Sequence, residues 1–217
     1  MRSDITEGAV LPDYELPDHT DTPRRLSILQ GDDPMVLTLH RGFFCPKDRQ
    51  QLERLRDLSR QCAVGYSRLV SVTTDRTVLH VNNLRLGVGA DWPFLYDAQR
   101  VIAKDLDIEE YTDPHNQPQI PHTFVLEPGL RIYRIYNGYW YWGRPSTAEL
   151  HQDLREVTRR CRPDWRIDTP EMRARWAAGE REAFFPYGKS QREVIVRTAG
   201  AVDQFEKFAR RGAGQAG

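Results

Sequence analysis

The run Met35-Val36-Leu37-Thr38-Leu39 is apolar at nearly every position, and it restricts the architecture more than any other stretch of the chain. A strand with one wet face alternates apolar and polar residues, whereas a near-continuous apolar run suits the middle of a sheet covered on both faces. The chain offers a first covering helix at once. After a short link, the polar segment that opens at Pro46 carries Leu52, Leu55 and Leu58 at three-residue steps among Arg, Gln, Glu and Asp, the pattern of a helix with one buried stripe ending near Gln61. Arg68 to Val72 is a second apolar strand, and Thr74-Asp75 stands where it can cap a second helix, Arg76 to about Leu86, which Gly87 and Gly89 stop. Strand, helix, strand, helix requires parallel pairing.

Upstream, Asp13 to Leu16 and Arg25 to Ile28 read as two short extended pieces split by the turn-forming run His19 to Pro23. Downstream, Trp92 to Asp97 is a short apolar piece, Arg100 to Leu106 a short helix, and Ile108 to Gln119 a polar loop. Thr123 to Leu126 and Arg131 to Tyr136, joined by Glu127-Pro128-Gly129-Leu130, form a hairpin that makes the sheet mixed. Ser146 and Glu149 have capping-box spacing, and Leu150, Leu154, Val157 and Cys161 share one face of the helix they begin.

Cys45 is the candidate nucleophile. It sits at the end of the strand segment and the start of the helix, where unpaired backbone N–H groups and the positive end of the helix dipole favour a thiolate, and Pro46 fits the first helical turn. A thiol with an ordinary pKa of about 8.5 becomes a nucleophile at neutral pH in such a setting. Arg41 and Lys47 add positive charge nearby. Packing is the competing role for Cys45, and it is the expected role for Cys62, which precedes an apolar strand.

Charge and composition exclude several classes. The 31 basic and 31 acidic residues cancel, so there is no general attraction for nucleic acid or an anionic membrane. No stretch approaches the roughly 18 apolar residues of a membrane span, and Met1 to Val10 lacks the apolar core of a signal peptide, so a cytoplasmic location is expected. Three widely spaced cysteines do not form a secreted disulfide framework. The six histidines show no metal-type spacing with each other or with the cysteines, and no metal or cofactor is expected. His40 and His122 flank the presumed site as proton shuttles or as neutral strand residues. The aromatic run Tyr136 to Trp142, followed by Gly143-Arg144-Pro145, either lines an apolar pocket or dimer interface or fills the core.

In the order of these elements and in several motifs the chain resembles the peroxiredoxins (AhpC/TSA), thiol peroxidases of thioredoxin-like fold. Leu11-Pro12-Asp13-Tyr14-Glu15-Leu16-Pro17-Asp18 is similar to the opening motif of that family. Phe43-Phe44-Cys45-Pro46-Lys47-Asp48 resembles the segment around its peroxide-attacking cysteine, with Asp48 at a position that is often acidic. Phe94-Leu95-Tyr96-Asp97 resembles the substrate-side loop, and Cys161-Arg162-Pro163-Asp164-Trp165-Arg166 the stretch around the resolving cysteine. Two positions depart from the pattern. The family's Pro-x-x-x-Thr-x-x-Cys reads Thr38 and Gly42 here, and an arginine expected ahead of Phe124 is Pro121. Ile120-Pro121 instead looks like the cis-proline loop of thioredoxins, although Asp48 stands where their second cysteine would be.

The resemblance implies an α/β, thioredoxin-like domain over residues 1–165, a central mixed sheet flanked by helices; beyond it the residues themselves predict a helical extension over 166–211 and a disordered tail over 212–217. The resemblance also implies a peroxidase in which Cys45 attacks the peroxide, Arg41 and Arg144 either stabilise the departing oxygen or are surface arginines, and Cys161 either resolves the sulfenic acid or packs. Phe44, Pro121, Trp142 and Arg144 are the substrate-side candidates, and thioredoxin or a small thiol is the expected reductant. A redox-inactive binding domain using the aromatic loop and a single-cysteine thiol-disulfide oxidoreductase are the alternatives. In the extension, Asp168-Thr169-Pro170-Glu171 opens a helix with Met172 and Trp176 four apart, and Val194 to Phe208 reads as a final helix. Its many aromatics favour packing on a second subunit, hence a homodimer.

Overall fold

The computed structural model describes residues 1–139, 142–180 and 184. A five-stranded sheet runs in the order β5-β4-β3-β6-β7, built from β3 (Met35–His40), β4 (Arg68–Thr73), β5 (Phe94–Tyr96), β6 (His122–Glu127) and β7 (Arg131–Asn137). The short strands β1 (Glu15–Pro17) and β2 (Pro23–Arg25) pair separately as an antiparallel hairpin. β3, β4 and β5 are parallel, while β6 and β7 run antiparallel, so the sheet is mixed. Every residue of β3 is buried, as a central strand covered on both faces requires.

Alternation along β3 separates two environments. Met35, Leu37 and Leu39 join Val70, Val72, Leu95, Phe124 and Leu126 in the main apolar cluster. Thr38 and His40 face the other way, with Thr38 opposite Ser71 on β4 and Thr123 on β6. The helix α2 (Pro46–Val64) covers that second face, donating from Gln51 Nε2 to Thr123 Oγ1 at 3.2 Å. Its buried stripe is Asp48, Gln51, Leu52, Leu55, Leu58, Ser59 and Cys62, so the leucine pattern extends one turn back to a carboxylate. Further helices are α1 (Leu26–Gln30), α3 (Val78–Gly87), α4 (Val101–Asp105) and α5 (Thr147–Cys161).

Three local expectations change. Arg25 to Ile28 is not extended: Leu26 to Gln30 is a helical turn whose ends Leu26 and Gln30 are buried, and the Gln30 amide clamps the β6–β7 turn through Glu127 O at 2.9 Å and Leu130 N at 2.8 Å. Thr74-Asp75 does not cap α3, because Thr74 Oγ1 donates to Arg41 O and Asp75 accepts from Phe43 N; Thr77 is the cap, accepting from His80 N at 3.3 Å. The Ile120–Pro121 bond is trans. Its backbone bonds on both sides, Ile120 N donating to Ile108 O and Gly138 N to Pro121 O, each at 2.7 Å.

The hairpin and the capping box are as read. Ser146 N donates to Glu149 Oε2 at 2.7 Å and Glu149 N to Ser146 Oγ at 3.3 Å, and Leu150, Leu154 and Val157 are buried along α5. The chain divides into two compact units within this helix, the first ending at Val157 and the second beginning at Thr158. In the second, Cys161 ends α5, a single 3-10 turn follows, and α6 (Pro170–Ala177) is capped by Thr169, whose side chain accepts from Met172 N at 3.3 Å. Val194 to Phe208 and residues 212–217 lie outside the described residues. No helix among the described residues is long and apolar enough to cross a membrane.

Candidate active site

Cys45 is the N-cap residue of α2, with Pro46 at the first helical position. Its amide donates to Gly42 O and its carbonyl receives Arg49 N, both at 3.1 Å, so the residue is fixed between the strand end and the first turn. The tight path depends on Gly42, whose φ of +135° lies in a region closed to most side chains; an added Cβ would meet Asp75 Oδ1 at 3.0 Å and the Phe44 ring at 3.1 Å. A threonine, the residue of the family pattern, would be strained in this loop. Only 2% exposed, Cys45 lines a cavity of about 280 Å³ together with Arg41, Lys47, Glu110, Pro121, Tyr139 and Arg144.

Arg41 reaches the sulfur. Its Nη1 donates to Cys45 Sγ at 3.9 Å, while Nε and Nη2 bind the two Glu110 oxygens at 2.7 and 2.9 Å and Nη2 also contacts Asp113 at 3.3 Å. The fork of two bonds on one carboxylate fixes the guanidinium plane, and the Phe44 ring lies beneath it, 5.4 Å from Cζ. Burial works against the charge of Arg41, but Glu110 and the cysteine outweigh it and raise its pKa.

Arg144 enters from the loop between β7 and α5. Nη2 donates to Asp48 Oδ1 at 2.5 Å and Nη1 to Gly138 O at 3.0 Å. Gly138 permits that approach, since a Cβ there would meet Pro121 O at 3.0 Å and Arg144 Cγ at 3.1 Å. The family pattern places an arginine at position 121. Here Pro121 occupies it, and Arg144 brings a guanidinium to the same cavity from elsewhere in the chain.

Asp48 joins the two arginines: its Oδ1 receives Arg144, and its Oδ2 accepts the Arg41 backbone N–H at 2.7 Å. Burial opposes its charge, yet His40 and Arg144 more than compensate and hold its carboxyl below the usual range. His40 Nδ1 stands 3.6 Å from Asp48 Oδ1, an electrostatic contact too long for a hydrogen bond. Both side chains are fully buried. Sequence reasoning notes Asp48 only as an acidic motif position, with no role at the site, and does not reach Glu110. Asp48 was legible as the next position of the leucine stripe, but Glu110 lies in a loop with no periodic signal.

The remaining candidates separate. Trp142 is 96% exposed and lines a neighbouring groove of about 320 Å³ with Lys47, Arg54 and Arg144, outside the Cys45 cavity. Phe44 supports Arg41 and does not line that cavity. Cys62 is a core residue, its thiol pushed up to about 12 by burial and by Asp91. His122 is buried, its Nδ1 within 2.8 Å of Ile120 O, and burial lowers its pKa. Cys161 is half-buried at the end of α5, in the second unit.

Residues 8–135 match the AhpC/TSA family. The chain is 31% identical over 130 residues to a Mycobacterium tuberculosis (strain CDC 1551 / Oshkosh) protein that carries a peroxiredoxin name, MT1643, covering 59% of this chain and 82% of that one. Among solved structures, the peroxidoxin BcpB of Mycobacterium tuberculosis superposes with a TM-score of 0.59 at 27% identity, over 70% of this chain and 95% of its own. A yeast mitochondrial 1-Cys peroxiredoxin has the same fold, with a TM-score of 0.60 at 16% identity, over 72% of this chain and 78% of its own.

Proposed function

The chain belongs to the AhpC/TSA family and is a thiol peroxidase; from that premise we propose that Cys45 is its peroxidatic sulfur, acting on hydrogen peroxide or an organic hydroperoxide. The thiolate attacks the terminal peroxide oxygen, an S–O bond forms as the O–O bond breaks, and the sulfur loses two electrons to become a sulfenic acid. The departing oxygen leaves as hydroxide or alkoxide and takes a proton to give water or an alcohol. The observation that carries this reading is the Arg41 N–H 3.9 Å from Cys45 Sγ, in a cavity that a second guanidinium also lines. Fixed cations beside the leaving oxygen stabilise charge that develops only as the bond breaks. Lining the same cavity, Pro121 and Tyr139 supply a wall for the alkyl part of an organic hydroperoxide.

Cys161 is the proposed resolving thiol, condensing with the sulfenic acid to a disulfide and releasing water, within one chain or across a homodimer. A dithiol protein of thioredoxin type or a small thiol in the cytosol then returns both cysteines to thiols. Stopped-flow mixing of the reduced protein with either peroxide tests the first step. Rapid thiol loss that disappears in Cys45→Ser supports it, and oxidation no faster than free cysteine favours a redox-inactive binding domain instead. Mass spectrometry of the oxidised product decides the second, since a product without a Cys45–Cys161 bridge removes that role. Sedimentation of the intact chain tests the homodimer.

A further inference from the structure

Behind the cavity a line of buried polar groups crosses the sheet, and the peroxidase chemistry leaves it unused. Trp92 Nε1 lies 2.9 Å from Ser71 Oγ, Ser71 Oγ is 2.8 Å from Thr38 Oγ1, and Thr38 Oγ1 is 2.8 Å from His40 Nε2. The parallel register that sets Thr38 against Ser71 aligns the two hydroxyls, and alternation along β3 brings His40 to the same face. Thr38, His40 and Ser71 are fully buried and Trp92 nearly so.

The direction of this line follows from donor counting. An indole N–H only donates, so Ser71 Oγ accepts from Trp92 and turns its own proton to Thr38. Thr38 then has its proton for His40 Nε2, since its alternative acceptor, Val70 O, is farther away at 3.4 Å. At the other edge of the ring, Nδ1 faces Asp48 Oδ1 at 3.6 Å and has no hydrogen-bond partner among the described residues. A bare nitrogen lone pair turned toward a buried carboxylate is repelled, whereas an N–H there is attracted. Both edges therefore favour the same tautomer.

We propose that His40 is a positioning residue of the Cys45 site, its proton kept on Nδ1 by a one-way hydrogen-bond chain that starts at Trp92 and ends at Nε2, and that its Nδ1–H orients Asp48. Asp48 in turn holds the Arg144 guanidinium and the Arg41 backbone at the cavity. The kinetic part of this proposal rests on Cys45 being the peroxidatic sulfur; the tautomer does not.

Long-range proton–nitrogen correlation NMR of the imidazole rings reads the tautomer in the wild-type protein, with the His40 signals assigned from their loss in His40→Asn. The expected pattern is a proton on Nδ1 and a bare Nε2. A proton on Nε2, alone or with one on Nδ1, overturns the proposal. Trp92→Phe removes the head of the chain and is expected to convert that pattern to a mixture of tautomers; an unchanged pattern overturns the role of the indole. An asparagine amide can place an N–H where Nδ1 stands, so His40→Asn is expected to keep the rate of Cys45 oxidation within about threefold, while His40→Leu lowers it tenfold or more, on the order expected for a misplaced catalytic cation. Equal losses in both variants refute the positioning role. A wild-type Cys45 inert to every peroxide refutes the proposed function instead, and the NMR result still stands or falls separately.

Discussion

Gly42→Thr places the hydroxyl of the peroxiredoxin pattern back into the active-site loop, and motif reasoning alone would have it raise activity. The structure predicts the opposite. At φ +135° a β-branched residue is strained by about 1–3 kcal/mol. The added Cβ also meets Asp75 Oδ1 at 3.0 Å, and Asp75 accepts the Phe43 N–H at 3.2 Å from both oxygens. Displacing that buried acceptor costs roughly another 1–3 kcal/mol. The sum, about 2–6 kcal/mol, lowers the melting temperature of a chain this size by roughly 4–24 °C. Because the loop carries Cys45 and the Arg41 carbonyl bond to Thr74, the rate of peroxide reaction falls with it. Thermal melts and stopped-flow thiol oxidation on Gly42→Ala and Gly42→Thr separate the backbone effect from the hydroxyl. A Thr variant as stable as the parent and faster with peroxide would refute the reasoning.

Arg41→Gln removes the cation nearest the sulfur and is expected to slow Cys45 oxidation by a factor on the order of a hundred, with Arg41→Lys recovering little because it cannot fork onto Glu110; stopped-flow rates decide. Arg144→Ala leaves Asp48 buried without its guanidinium and should destabilise the fold by about 3–5 kcal/mol in denaturant titration, with Asp48→Asn partly restoring the loss. Iodoacetamide at about pH 8 is expected to label Cys45 and spare Cys62, whose thiol is pushed up to about 12 by burial, as peptide mapping would report. His122 is buried with a lowered pKa, so its unfolded form takes up protons first as pH drops below about 6.5, and stability is lost from there down through its folded value. His122→Phe should flatten that part of the stability–pH curve, and an unchanged slope assigns the loss to another group.

Much of the frame was legible in the residues because it follows local rules. The apolar run of β3, the leucine stripe of α2, the Ser146–Glu149 box and the β6–β7 hairpin each depend on period, capping or turn chemistry within a few positions. Cys45 at the start of a helix was readable for the same reason. Where reading went astray, a distant partner had outbid the local one. Asp75 serves the Phe43 amide instead of a helix end, Gln30 sits in a helical turn that places its amide on the β6–β7 loop, and the trans Ile120–Pro121 pair hydrogen-bonds through its backbone to two other segments.

The line of residues determined that a cysteine would stand at a helix start beside a central strand, since strand period, helix period and a proline at the first turn are all short-range. Only the folded chain decided which charges surround that cysteine. Glu110 lies 69 positions from Arg41, and Arg144 lies 96 from Asp48. Such contacts depend on how loops return to the sheet edge, and the geometry of that return is carried by the packing of the whole domain, where no short window of residues encodes it.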